Sequence, residues 1–221
     1  MTETREIPLR RMPQQARGQQ RIHKLLNAAE QIFAEVGYDN ATTNAIAARA
    51  DTSIGSLYQF FPNKEAILQA VILRYLGEMR ELFDQNLTPE AVETLTLVEF
   101  LERLIRAVVH LRESHAGFRP VSFASYSSPE LVEATASLQR EIIDRIETLL
   151  ALHVPDLSPQ QRRVCSRTSV GIFEALMSLA MDLQGAEREL QLDELRTVLL
   201  TYLRTYVPED KTRLDEEIEN P

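Results

Sequence analysis

Residues 42–68, TTNAIAARADTSIGSLYQFFPNKEAIL, constrain the fold of this chain more than any other stretch. The spacing predicts two helices of about two turns each, with a bend at Arg49–Ser53. Thr42 stands where it can cap the first, which turns Ile46, Ala47 and Ala50 inward. Ser53 stands where it can cap the second, in which Leu57 and Phe60 point inward and Ser56, Tyr58 and Gln59 remain available. Neither helix is long enough to be stable alone. Each must be held by packing against the other, and Ala47 is small enough for a close crossing. Two short helices joined by so brief a turn form a helix-turn-helix, whose second helix can enter a DNA major groove.

In such a unit, phosphate contacts fix register and base-edge contacts carry specificity. Thr42 and Thr43 bring hydroxyls and first-turn N–H groups suited to a phosphate oxygen. Lys64 opens the next helix, with Asn63 as its cap, and is expected to reach another phosphate. Tyr58 either lies against the sugar-phosphate chain or is a core aromatic. Asn44, Ile54, Ser56 and Gln59 remain to read bases, with Gly55 permitting close approach. Gln59 suits bidentate pairing with adenine. Phe60 and Phe61 are expected in the core.

Thr43, Ile46-Ala47, Ala50, Ser53, Gly55, Leu57-Tyr58, Phe60 or Phe61, Lys64-Glu65 and Leu68, with Gly37-Tyr38 upstream, resemble the DNA-binding signature of the TetR family of bacterial transcriptional regulators. Specific positions cover about Arg21 to Ile72; the remainder matches that family only in being helical. One departure is Asp51, where the family usually has a turn glycine. Asp tolerates the left-handed conformation better than most side chains, so the same bend is expected at a small cost in strain.

The whole chain of 221 residues has no Trp, only 7 Gly and 44% hydrophobic residues, a composition that favours an all-α protein. A single cysteine, Cys165, cannot make an internal disulfide and suits a reducing cytoplasm. No apolar run approaches the roughly 20 residues that span a bilayer, so no membrane partner is expected. Net charge is −9, but it is unevenly spread. Residues 1–24 hold six bases and two acids; residues 1–70 hold eight and seven, which leaves the rest at −10. That asymmetry is expected if one end meets phosphate, although a solvated basic tail would give the same count.

The organisation read from the chain is a basic arm over 1–13, a helix-turn-helix domain over 14–62, a helical effector-binding and dimerisation domain over 63–207, and an acidic tail over 208–221. In the arm, Arg10 and Arg11 either follow the DNA backbone or minor groove, or stay idle. Ile22, Leu25, Leu26, Ala29, Phe33 and Val36 make one face of a helix over about 14–36 that Gly37 ends. His23 on that helix reads as a surface histidine. A long helix follows from Lys64, with Ile67, Leu68, Val71, Ile72, Tyr75, Leu76, Met79, Leu82 and Phe83 on its inner side. The family resemblance makes it the link between effector pocket and reading head.

Beyond residue 85, Thr88-Pro89, Ser128-Pro129 and Ser158-Pro159 place caps before proline at a first helical position. They predict helices over about 89–113 (starting either at Pro89 or nearer Thr94), 129–153 and 159–183, the last with a capping box from Gln161. Residues 114–128 lack periodicity. Phe118, Arg119, Phe123 and Tyr126, with Phe173, either line an effector pocket or form plain loop and core. The helix from Pro159 carries one stripe of Thr168, Ile172, Ala175, Leu176, Leu179 and Leu183, and a second of Val170, Phe173, Met177 and Met181. A helix apolar on two sides needs partners on two sides. Together with Leu195, Val198, Leu199, Tyr202 and Tyr206 it resembles the paired C-terminal helices through which the family dimerises. The dimer surface is expected at Val170, Phe173, Met177, Met181, Leu195, Leu199, Tyr202 and Tyr206, unless a monomer buries both stripes.

No glycine-rich phosphate loop, paired-cysteine motif or nucleophile elbow occurs, so no enzyme, metal or cofactor is expected. His110 and His115, five apart, are not adjacent ligands on a helix, and Glu99–Glu102 read as a solvated face. The resulting expectation is a cytoplasmic homodimeric repressor that binds a palindromic double-stranded DNA operator and is released by a small apolar or amphipathic effector. The alternatives are an effector-independent DNA-binding protein and, further off, a helical small-molecule-binding protein or enzyme.

Overall fold

The computed structural model describes residues 16–115 and 129–207, with side chains from residue 18. Among these residues the chain is helical with no strand: α1 (Ala16–Asn40), α2 (Thr43–Arg49), α3 (Ile54–Phe60), α4 (Lys64–Asn86), α5 (Pro89–Thr94), α6 (Leu97–Ser114), α7 (Pro129–His153), α8 (Pro159–Met181) and α9 (Gly185–Arg204). The described residues form two compact units, one of residues 16–79, 111–115 and 129–136, the other of residues 80–110 and 137–207.

In the first unit α1 breaks at Gly37, whose φ of 76° and ψ of 162° leave the helix, and one further turn runs to Asn40. The interruption is backbone-driven, because a Cβ there would meet nothing within 4 Å. Val36, expected inside, is 44% exposed. The core joins Leu25, Leu26, Ala29 and Phe33 of α1 to Ile46 and Ala47 of α2, Leu57 and Phe60 of α3, and Phe61, Ile67 and Val71. Seven of these have no exposed surface at all (Leu25, Ala29, Phe33, Ile46, Leu57, Phe61 and Ile67), which supplies the tertiary hold that two seven-residue helices need.

In the second unit Thr88 caps α5 and Ser158 caps α8 in a capping box with Gln161, as the sequence predicts. The single helix expected over 89–113 is instead two, with Leu95 and Thr96 between them. Thr96 starts its own helix: its backbone N–H and hydroxyl donate to Glu99 Oε2, and Glu99 N–H donates to Thr96 Oγ1 at 3.2 Å. This is a second capping box, T-L-V-E, in which the Thr96 backbone N–H holds Glu99 below the usual carboxylate range. Glu99 and Glu102 are both exposed, as expected of a solvated face, and Glu99 in addition caps the start of α6.

α8 and α9 pack along their length, and their buried faces differ from the expectation. Val170, Met177, Leu195 and Leu199 are 6%, 0%, 0% and 2% exposed within one chain, so they have no area left for a partner and are corrected from the dimer surface to the core. The stripe left outside on α8 runs through Val164, Ala175 and Leu179, and that on α9 through Leu190 and Val198. Two-sided apolarity was legible, but periodicity does not say which side faces the neighbouring helix. Phe173, Met181, Tyr202 and Tyr206 are half-buried, the two tyrosine rings meeting edge-on at 5.4 Å. α8 is also more apolar than the sequence reading allowed: by length and composition it could cross a membrane. Its face of Cys165, Ser166, Ser169, Val170, Met177 and Ala180 is buried in this unit, while the opposite face stays outside.

Candidate nucleic-acid interface

The bend between α2 and α3 is a Schellman turn. Thr52 N–H donates to Ala47 O and Asp51 N–H to Ala48 O, and Asp51 takes the left-handed position with φ of 51°. The departure from glycine is therefore accommodated without losing the turn. At its far end Ser53 Oγ accepts from Ser56 N–H, and at the start of α2 Thr42 Oγ1 accepts from Ala45 N–H. Both expected caps are present. They direct α3 so that Leu57 and Phe60 face the core while Ile54, Gly55, Tyr58 and Gln59 are exposed and Ser56 is half-buried.

Tyr58 is 42% exposed, which removes the core-aromatic reading. Its hydroxyl lies 3.1 Å from Thr43 Oγ1, joining the start of α2 to the outer face of α3. Asn44 is exposed on the same α2 turn. At Gly55 an added Cβ would meet nothing within 4 Å, so glycine there leaves open space for an approaching surface.

Two cations depart from simple expectation. Lys64 is not free at the mouth of α4: its Nζ donates to Tyr38 O at 2.6 Å and Asp39 O at 3.1 Å, and sits 4.4 Å from the centre of the Tyr38 ring. There it satisfies carbonyls at the end of α1, where positive charge is favoured. Arg21, counted in sequence only as part of the basic end, donates to Ser56 Oγ at 3.4 Å and is exposed beside α3. Its place on α1, four turns before Gly37, gave no local signal; only packing of α1 behind the pair brings it there.

Arg49 adds no free charge. It is forked onto Glu35 at 2.8 and 2.7 Å and also reaches Gln31 at 3.3 Å; its hydrogen bond holds Glu35 low. Asn63 Oδ1 accepts from Ala66 N–H at 2.8 Å, the cap expected for α4. Arg10 and Arg11, and Phe118, Arg119, Phe123 and Tyr126 of the expected pocket, lie outside the described residues, as does the cap Ser128. Phe173 is half-buried on α8.

The exposed set on α2 and α3 is a polar, hydroxyl- and amide-bearing surface on a closed core, the arrangement that a base-reading helix needs. Comparison with known proteins agrees. The chain is 30% identical over 91 residues to the HTH-type transcriptional regulator YhgD of Bacillus subtilis, covering 41% of this chain and 46% of that protein. It is 34% identical over 91 residues to the HTH-type transcriptional regulator UidR of Escherichia coli, covering 39% and 42%. The chain thus spans less than half the length of these relatives. Among solved structures, SmeT, the repressor of the Stenotrophomonas maltophilia multidrug efflux pump SmeDEF, shares the fold with a TM-score of 0.63 at 23% identity, covering 90% of this chain and 96% of that one. Residues 96–203 match the tetracyclin repressor-like C-terminal domain, and residues 25–71, which contain the whole reading pair, match the bacterial regulatory proteins of the tetR family. A helix-turn-helix head and a helical C-terminal region, each matched in its own right, make this chain a member of the TetR family.

Proposed function

We propose that the chain is a transcriptional repressor that binds a palindromic operator as a homodimer and is released by a small apolar or amphipathic effector. The observation that carries this reading is the exposed row of Ile54, Gly55, Tyr58 and Gln59 on a helix whose opposite side is fully buried. Gln59 and Asn44 read base edges, and Ser56 assists them. Thr43, Tyr58 and Arg21 meet the phosphate backbone, as do Arg10 and Arg11 if the arm engages. Thr42 and Ser53 act as caps that aim the two helices.

The homodimer forms through the outward stripes of α8 and α9, centred on Val164, Ala175, Leu179 and Val198. Leu179 at 53% and Val164 at 51% exposure are costly to leave in water and fit a helix-to-helix seam. Two-fold symmetry then sets two α3 helices over an inverted repeat. Effector binding shifts the population towards a dimer with the wrong spacing. A hundredfold loss of operator affinity requires only ~2.7 kcal/mol of preference between the two states. SmeT has been solved in complex with triclosan, which makes a small organic effector the first class to screen. The cytoplasm, where the operator lies, is the corresponding location.

Selection of preferred duplexes from a random pool with the purified full chain tests the reading. An inverted repeat is the expected product, followed by its release in a metabolite screen. Recovery of no preferred duplex at physiological salt would overturn it.

A further inference from the structure

His115 follows the last turn of α6, and both nitrogens of its ring face carboxylates. Nδ1 lies 3.1 Å from Glu30 Oε1 of α1, and Nε2 lies 2.6 Å from Glu78 Oε2 of α4. Arg74 of α4 donates to the same Glu30 oxygen at 2.6 Å and to Asn27 Oδ1 at 2.7 Å, with its Nε 3.9 Å from Glu78. Glu30 and His115 are only 7% and 8% exposed. The cluster forms the floor of a groove of about 330 Å³ in the first unit, to which His23 and Gln31 of α1 and Ser114 of α6 also contribute. On the other side the Tyr75 ring meets His115 edge-on at 5.3 Å. Burial pushes the Tyr75 phenol up to about 12 although Arg112 faces it, so it stays protonated near neutrality.

An ionised carboxylate only accepts hydrogen bonds, and a neutral imidazole has one N–H and one lone pair. Neutral His115 could therefore satisfy one of its two carboxylates and would turn a lone pair on the other. Only the imidazolium donates to both. With it, the two carboxylates, Arg74 and His115 sum to zero charge; without it, a net −1 is left on a cluster whose Glu30 and Arg74 side chains are only 9% and 11% exposed, which is costly.

We propose that Glu30, Arg74, Glu78 and His115 form a proton-operated clasp that fastens the end of α6 to α1 and α4, closed while His115 is an imidazolium and open when it is neutral. The hydrogen bond that His115 donates to Glu30 raises His115 above the ordinary histidine range, burial opposes this, and the bond to Glu78 adds to the rise. Burial pushes Glu30 up, but the hydrogen bonds from His115 and Arg74 outweigh it and hold this carboxyl low. For a raised histidine, the stabilisation is complete below the unfolded value of ~6.5 and is lost as pH climbs through the folded value. For a lowered carboxyl, it is present above the unfolded value and is lost as pH falls through the depressed one. The clasp is therefore shut from above the carboxylate range up to pH ~6.5 and opens as pH climbs through the raised value of His115. Because α1 and α4 hold α2 and α3 in place, opening also weakens operator binding; this last step rests on the function proposed above.

The test uses the full chain. Carbon-13 NMR of the four histidines follows each titration, and His115→Gln identifies the His115 signal. His115 is expected to titrate above the ordinary range, and Glu78→Gln to bring it down, because the amide can donate to a neutral ring. Hydrogen exchange in the last turn of α6 should speed up between pH 6.5 and 9 by more than the intrinsic base-catalysed rise, an excess that His115→Gln abolishes. Over the same interval operator affinity should fall on the order of fivefold, the lower end of ordinary coupling factors, and stay flat in His115→Gln. A His115 signal at or below the ordinary range, or one unmoved by Glu78→Gln, overturns the clasp. If no duplex binds at any pH, the operator reading alone fails, and the NMR and exchange results still decide the clasp.

Discussion

Thr43 Oγ1 and Tyr58 Oη lie 3.1 Å apart, so the start of α2 and the exposed face of α3 are joined by a hydroxyl pair at the protein surface. Neither group is buried enough to need the other for satisfaction, since water could serve both. The pair instead fixes the Tyr58 ring over the α2–α3 edge before any duplex arrives, which lowers the ordering cost of binding.

Tyr58→Phe removes that pair and, in the proposed complex, one hydroxyl that meets the DNA backbone. Affinity is expected to fall by about 1 kcal/mol, roughly fivefold, on every duplex alike. Gln59→Ala should instead cost about 1–3 kcal/mol at one base position and relax preference there. Competition binding against a set of single-substituted duplexes separates the two. A Gln59→Ala loss of equal size on all of them would remove Gln59 from the base readers.

Lys64→Met tests a different assignment. With Nζ on the Tyr38 and Asp39 carbonyls, the substitution should lower stability by about 1–2 kcal/mol in urea unfolding, a range discounted for its partial exposure. If Lys64 also turned to a phosphate on binding, the slope of log affinity against log salt would drop by about one. An unchanged salt slope together with lost stability would assign Lys64 wholly to the end of α1.

Asp51 is the one described non-glycine residue at positive φ. Asp51→Ala should destabilise by about 1 kcal/mol, because the added cost of the left-handed conformation is not offset by a side chain that favours it. Asp51→Gly removes the steric cost and is expected to be neutral or to stabilise by up to about 1 kcal/mol, with operator affinity kept. Thermal unfolding of both variants decides this, and a Gly variant less stable than the Ala variant would refute it.

Local chemistry explains what was legible in the sequence. Thr42, Ser53, Asn63, Thr88 and the Ser158–Gln161 box act within three residues of themselves, so their caps could be read directly and are all present. The buried positions Ile46, Ala47, Leu57 and Phe60 followed from periodicity for the same reason. The Thr96–Glu99 box was equally local, but it was masked by the stronger Thr88-Pro89 signal just before it. What stayed hidden depends on contacts between distant segments. Glu30 and His115 stand 85 residues apart, Arg21 and Ser56 stand 35 apart, and Lys64 reaches back 26 residues to Tyr38. No window of sequence holds both partners. The inward and outward faces of α8 exchanged places for a related reason: both stripes have helical spacing, and only packing against α9 selects one.

That selection gives the last prediction. Leu179 and Val198 are 53% and 38% exposed, whereas Leu195 is fully buried. Leu179→Glu combined with Val198→Glu should leave the helical fold intact, since neither side chain belongs to the core, yet introduce charges into the proposed seam. The expected result is a monomer by sedimentation at concentrations where the parent is a dimer. Operator affinity should fall by two or more powers of ten, because each half-site then binds without its tethered neighbour. Leu195→Ala should behave in the opposite sense, losing about 2–5 kcal/mol of stability from a core cavity while the folded fraction still dimerises. If the double glutamate variant remained dimeric and Leu195→Ala produced monomers, the seam would have to be sought on another face.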